Sequence, residues 1–296
     1  MHTKEDKVMQ AIAHIVMAFL AICALLPFVL LIIASFTDNM TAIRNGYSFF
    51  PEQWSLDAYD YILKQWGVIG RAYGVTFLVT VSGTFLSLVI TSMLGYALSR
   101  QGMPGRNVLM FFVVFTMLFN GGLVPTYYIY SNIFHIKNTI WALIVPGLLM
   151  NAFNVMLVRN YFRSNIPPAL IEAAKIDGAK EFTVFFRIVL PLSLPILATI
   201  GLMSAIAYWN DWTNGLYYLT NEKLFSIQNI LNKINENVNF LANNSSTLAG
   251  TVDTTSLPSG TIRMAIAVVG IVPILIAYPF FQRYFVKGIT IGSVKE

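Results

Sequence analysis

Residues 165–195 read NIPPALIEAAKIDGAKEFTVFFRIVLPLSLP, and they set a dense run of charge between apolar stretches. Glu172, Lys175, Asp177, Lys180 and Glu181 crowd into a dozen residues, interleaved with Ala173, Ala174, Gly178 and Ala179. Pro167 and Pro168 suit a helix start, where the first turn makes no use of the N–H groups they lack. The predicted helix runs to Asp177, and Gly178 is placed to take the left-handed conformation that ends it. Phe182, Phe185, Phe186 and Val189 then recur at i, i+3, i+4 and i+7, the spacing of one helical face, and Leu190–Pro191 closes this second helix. The reading is a helix–turn–helix. Ala173 and Ala174 keep one face flat, Glu172 and Lys175 flank it, and the phenylalanine stripe anchors the element. A solvated loop with incidental charge explains neither the glycine nor the phenylalanine spacing, so the stretch reads as a docking element.

What surrounds it is apolar. The chain has 296 residues, 56% hydrophobic and 11% charged, with a mean hydropathy of +0.64. A soluble domain carries about 25% charged residues, so these values point to an all-α polytopic membrane protein. Candidate spans cover 9–36, 72–99, 107–131, 138–158, 188–210 and 262–282, each long enough to cross a hydrocarbon layer about 30 Å thick. Val8 to Thr37 is free of Asp, Glu, Lys and Arg and exceeds a signal-peptide core, so it reads as a retained first span. Six crossings put both termini on one side. Lys4, Lys7, Arg100, Arg106, Arg159, Arg163, Lys175, Lys180, Arg187, Arg283, Lys287 and Lys295 lie there, 12 of the 19 basic residues. The positive-inside rule makes that side cytoplasmic. The net charge of +5 therefore reflects basic loops and implies no nucleic acid.

Two outer segments are long. Residues 37–71 are rich in aromatics and read either as an interfacial belt or as a partner surface. Residues 211–261 end in the polar tract NNSSTLAGTVDTTSLPSG, which reads either as a surface loop or as a partner-binding segment.

Inside the cores of the six spans there is no acidic or basic residue, and His14 is their one histidine, read as packed or interfacial. Ion-coupled transporters generally need buried ionisable groups, which disfavours that alternative. No G-x-x-x-x-G-K-S/T, H-E-x-x-H or G-x-S-x-G occurs, so neither an ATP cradle nor a catalytic constellation is expected. Cys23 alone makes no disulfide, and three scattered histidines make no metal site. Helix interruptions stand out instead: Asn120, Gly121, Gly122 and Pro125 in the third span, Pro146 and Gly147 in the fourth. Asn151 and Asn154 follow one turn apart. Carbonyls freed there need partners or water. The interruptions permit close packing by small residues or a polar path in which Asn120, Asn151 and Asn154 meet hydroxyl-rich cargo. Trp209, Asn210, Asp211 and Trp212 read likewise as an interfacial anchor or as sugar contacts.

EAAKIDGA at 172–179, with Phe182, Phe185, IVLP at 188–191 and Pro195, resembles the EAA loop of ABC-importer permeases. GYALSR at 95–100 and QRYFVKGITIGSVKE at 282–296 are similar to the carbohydrate-uptake branch, specifically its six-helix second permease of the maltose type. NGGLVPTYY at 120–128 points to the subgroup that imports complex oligosaccharides in Gram-positive bacteria. The resemblance implies a multi-pass bacterial plasma-membrane subunit, paired with a second, homologous permease and two ATPase subunits that bind the ATP and Mg²⁺. No cofactor is then expected on this chain. It further implies an extracellular sugar-binding protein or lipoprotein and an oligosaccharide substrate. Glu172, Ala173, Ala174, Lys175, Asp177, Gly178 and Ala179, within a coupling element spanning 165–190, would form the ATPase-coupling helix and its bend. Glu172 would meet a basic residue of the ATPase. The tail 283–296, with Lys287 and Lys295, would reach the ATPase dimer, and the segment near 240–261, with Thr251, Asp253 and Ser256, would match the loop that enters the binding protein.

Overall fold

The computed structural model describes residues 4–248 and 260–293. Along the chain run α1 (Lys4–Ser35), α2 (Asn39–Asn45), α3 (Asp57–Lys64), α4 (Trp66–Ser99), α5 (Arg106–Leu118), α6 (Leu123–Ile133) and α7 (Trp141–Ile144). They continue as α8 (Ala152–Asn165), α9 (Pro168–Ile176), α10 (Glu181–Leu192), α11 (Leu194–Trp209), α12 (Thr213–Tyr218), α13 (Ile227–Leu248) and α14 (Gly260–Ser293). The described residues contain no strand, only an isolated bridge between Thr37 and Trp54.

The chain divides into two compact units, one of residues 1–69 and 231–272, the other of 70–230 and 273–296. In the first, α1 is apolar from Val8 onward and largely uncovered, with Ile15, Phe19 and Ile22 all more than half exposed. His14 takes a local role, its Nδ1 lying 2.6 Å from the Gln10 carbonyl one turn back. The aromatic segment after α1 is folded on itself. Tyr59 stacks on Phe36 and its hydroxyl meets Ser35 Oγ at 2.8 Å. Asp38 caps α2 by accepting from the Thr41 N–H at 2.9 Å.

In the second unit, α4 packs against α11 and α8. Gly83 lies under the Tyr208 ring, so close that a Cβ would sit 2.6 Å from Cζ. Tyr96, Val158, Phe162, Ile171, Val184, Phe185, Val189 and Ile200 form one buried cluster. A second gathers Val79, Leu143, Ile144, Tyr208 and Tyr218.

Several spans expected as single helices are broken. α5 ends at Leu118, and α6 leaves it at 118°. Between them Asn120 Oδ1 accepts the Gly122 N–H at 2.9 Å, stabilising a turn where the helix would continue. The helix expected over 138–158 is the single turn α7, then an irregular stretch from Pro146, then α8. Pro146 cannot donate to the carbonyl one turn back, and Asn151 caps α8 through the Asn154 N–H at 3.1 Å. The fifth expected span is bent by 80° between α10 and α11. Pro195 lacks the N–H that would bond the Pro191 carbonyl, and in a continuous helix its ring would collide with that carbonyl. Residues 211–248, read from sequence as an outer loop, contain α12 and the 22-residue α13. Among the described residues α1 and α4 are each long and apolar enough to cross a membrane alone, and each bent pair, α5–α6 and α10–α11, is so when taken together.

Candidate coupling site

The α9–turn–α10 element is built as its sequence suggests. Pro167 is extended and Pro168 opens α9. At the other end Gly178 has φ +80°, its N–H bonds the Lys175 carbonyl at 3.0 Å, and the Ala179 N–H bonds the Ala174 carbonyl at 2.9 Å. This pair of bonds is a Schellman closure, in which a left-handed residue satisfies the last carbonyls of the helix. Ala174 and Ala179, the two residues it joins, also pack on the buried cluster.

The faces of α9 differ from the sequence reading in one respect. Ile171 is buried and Ala174 turns inward beside it, so Ala173 and Ala174 do not share a flat outer face. Ala169, Glu172, Ala173 and Ile176 face outward at i, i+3, i+4 and i+7 instead, with Ile176 87% exposed. The register of Ile176 with Glu172 and Ala173 is readable in the sequence, but its outward turn follows only from the burial of Ile171. The phenylalanine stripe is also split. A π turn over Phe185–Val189 shifts the buried face of α10 to Val184, Phe185 and Val189, leaving Phe182 and Phe186 exposed. Burying each of those three contributes roughly 1.5–3 kcal/mol, which fixes α10 against α8 and α4.

Glu181, to which the sequence reading gives no role of its own, holds the element together. Its Oε2 accepts a hydrogen bond from the Tyr96 hydroxyl at 2.7 Å, its Oε1 lies 2.5 Å from Lys175 Nζ, and Arg100 stands 4.0 Å away. The Lys175 and Tyr96 bonds hold the Glu181 carboxyl below its ordinary range. Tyr96 is itself locked by the Phe185 ring at 5.2 Å and by the Arg100 guanidinium over its face. One carboxylate thus ties α9, α10 and the GYALSR end of α4 together. A cleft of about 450 Å³ opens beside it, lined by Met93, Arg100, Met103, Lys175 and Phe182 among others. Lys175, expected on the docking face, is turned to Glu181.

The candidate path residues are engaged locally. Asn120 bonds within its own turn and Asn151 caps α8. Asn154 is buried, 6% exposed. Trp209 is also buried, 8% exposed, so it is neither a membrane-facing anchor nor an open stacking surface within this chain. Asn210 is exposed and donates to the Ile206 carbonyl at 3.0 Å. Asp211, just before α12, accepts from the Thr213 N–H at 3.1 Å, and burial pushes its carboxyl up. Two neighbours serve the broken α7 segment. Tyr208 donates to the Ile144 carbonyl at 2.9 Å, and Asn214 to the Pro146 carbonyl at 3.0 Å. Lys287 falls on α14 where only the backbone is described. Lys295, Thr251, Asp253 and Ser256 lie outside the described residues.

Residues 7–291 match the family of binding-protein-dependent transport system inner membrane components. The chain belongs to this family. It is 40% identical to the polygalacturonan/rhamnogalacturonan transport system permease protein YtcP of Bacillus subtilis, covering 93% of this chain and 94% of that one. It is 36% identical to protein LplC of the same organism, over 99% and 97% of the two chains. It is 31% identical, over the full length of both, to the arabinooligosaccharides transport system permease protein AraQ of Halalkalibacterium halodurans. Its fold matches a solved bacterial ABC transporter involved in the import of the acidic polysaccharide alginate. There the TM-score is 0.80 at 30% identity, covering 96% of this chain and 99% of that one. The permease is thus a membrane component of an ABC transporter and not an enzyme; ATP is hydrolysed by partner subunits. The ion-coupled alternative finds no support in these relatives.

Proposed function

We propose that this permease forms, with a second homologous permease, the translocation path of an ATP-driven importer of oligosaccharides, and that the outer face of α9 seats one ATPase subunit. The observation that carries the reading is the tie at Glu181. A helix whose free face offers Glu172, Ala173 and Ile176 is joined through one carboxylate to the end of α4, so displacement of α9 is passed to a helix 34 residues long. ATP and Mg²⁺ sit on the ATPase pair, and their closure moves α9. Nucleotide shifts the permease between states only through its different affinity for them.

The proposal includes six crossings with cytoplasmic termini, supported by the bias of basic residues. It places the tail with Lys287 and Lys295 toward the ATPases, and the outer segment 211–261 toward a sugar-binding protein. The names of the relatives favour oligosaccharides, and two of them concern acidic polysaccharides. The test is reconstitution with both permeases, the ATPases and the binding protein in liposomes. ATP-dependent uptake of an oligogalacturonide or arabinooligosaccharide is expected. Ile176→Asp should remove ATPase binding while the two permeases stay paired; an ATPase that still co-purifies with the variant at full yield refutes the assignment of this face.

A further inference from the structure

α5 and α8 pack side by side through Val113 and Val155, with Met110 and Met156 around them. Arg106 opens α5, one turn before Met110, while Arg159 follows Val155 by one turn on α8 and Arg163 lies one turn further on the same side. The pairing of the two helices therefore brings three guanidinium groups to one end. Burial and the neighbouring charges of Arg163 and Arg106 oppose the charge on Arg159. Arg159 Nη1 donates to Asn160 Oδ1 at 2.8 Å, but its Nε is buried without a partner. Among the described residues none of the three arginines forms an ion pair, and Glu181 is taken up by Lys175 and Tyr96. The N-terminus of α5 adds to the positive field, with no capping side chain and no acidic residue in its first turn. Like charges at this spacing repel unless an anion lies among them.

The surface next to the cluster is apolar. On α5, Val108, Phe111 and Phe112 are each more than half exposed, beginning within a turn of Arg106. A ligand that satisfies both parts carries an anionic head and hydrocarbon tails. We propose that Arg106, Arg159 and Arg163 bind the phosphate of an anionic membrane phospholipid whose acyl chains lie along the exposed face of α5. Guanidinium forks match phosphate oxygens in pairs, and basic pockets between membrane helices are suited to anionic headgroups. The site rests on membership of a membrane family and not on the coupling reading.

The test uses the assembled transporter in neutral detergent, titrated with short-chain phosphatidylglycerol while its unfolding temperature is followed. Phosphatidylcholine of equal chain length and inorganic phosphate are titrated in parallel. Phosphatidylglycerol should raise the unfolding temperature and the other two should not. Arg106→Gln with Arg163→Gln should weaken half-saturation by about thirtyfold, near fivefold for each arginine. The corresponding Lys variants should keep most of the effect. Should the double variant fail to assemble, Arg163→Gln alone, at an exposed position, carries the fivefold test. An undiminished phosphatidylglycerol response in the Gln variants, or an equal response to phosphatidylcholine, overturns the site. A full response to inorganic phosphate overturns the lipid assignment.

Discussion

Gly178 offers a graded test of whether the end of α9 must be fixed. Its φ of +80° is left-handed, and a Cβ built there meets nothing within 4 Å, so substitution acts through the backbone alone. A left-handed Ala costs roughly 1–2 kcal/mol, and a β-branched residue goes toward about 3 kcal/mol. Opposing the strain are the two closing bonds from the Gly178 and Ala179 N–H groups, worth about 1 kcal/mol each. In Gly178→Ala the strain stays at or below what the bonds hold, and the turn persists. In Gly178→Val it exceeds them by about 1 kcal/mol, which leaves roughly one molecule in six closed. Asn enters the left-handed region more readily than other side chains, so Gly178→Asn should stay near wild type. Sugar uptake per ATP hydrolysed, measured in liposomes, should rank Gly, Asn, Ala, Val from high to low. Full coupling in Gly178→Val refutes the need for a fixed turn, and Asn failing as badly as Val shows that side-chain volume, not backbone, decides.

Glu181→Gln and Tyr96→Phe should each uncouple ATP hydrolysis from uptake, and the double variant should be no worse than either, because both break one link; additive losses would separate them. The Glu181 carboxyl is held below its ordinary value of 4.5, so the link's contribution is complete above that value and lost as pH falls through the lowered one. Unfolding temperatures of wild type and Glu181→Gln should differ by a constant amount at neutral pH and converge only in acid. Gly83→Ala should lower the unfolding temperature, since its Cβ meets the Tyr208 ring at 2.6 Å and overpacking costs about 1–3 kcal/mol. Gly201→Ala, whose Cβ meets only a Leu88 methyl at 3.3 Å, is the milder control; equal losses in the two would count against the tight Gly83 contact.

The local chemistry of 165–180 was legible because each step has its own signal: prolines for the start, glycine for the stop. The inward turn of Ala174 was not, since alanine carries no preference between faces and only the burial of Ile171 decides it. The role of Glu181 was hidden because its partner Tyr96 stands 85 residues away. Proline and glycine marked where the membrane segments are interrupted, but not that α6 would turn by 118° from α5. That angle depends on tertiary packing that spacing does not encode. The shift of the phenylalanine stripe has the same origin: a π turn moves the face by about one residue, and no propensity in FFRIV announces it.

The bonds from Tyr208 and Asn214 to the broken α7 segment bear on how this protein can diverge. Their acceptors are the main-chain carbonyls of Ile144 and Pro146, which survive any substitution that keeps the local path. The donors are side chains, and replacing either leaves a buried carbonyl unanswered. Mutational tolerance should therefore be lopsided: these two bonds do not read the side chains of Ile144 and Pro146, while two positions on α11 and α12, more than 60 residues downstream, hold the shape of the segment.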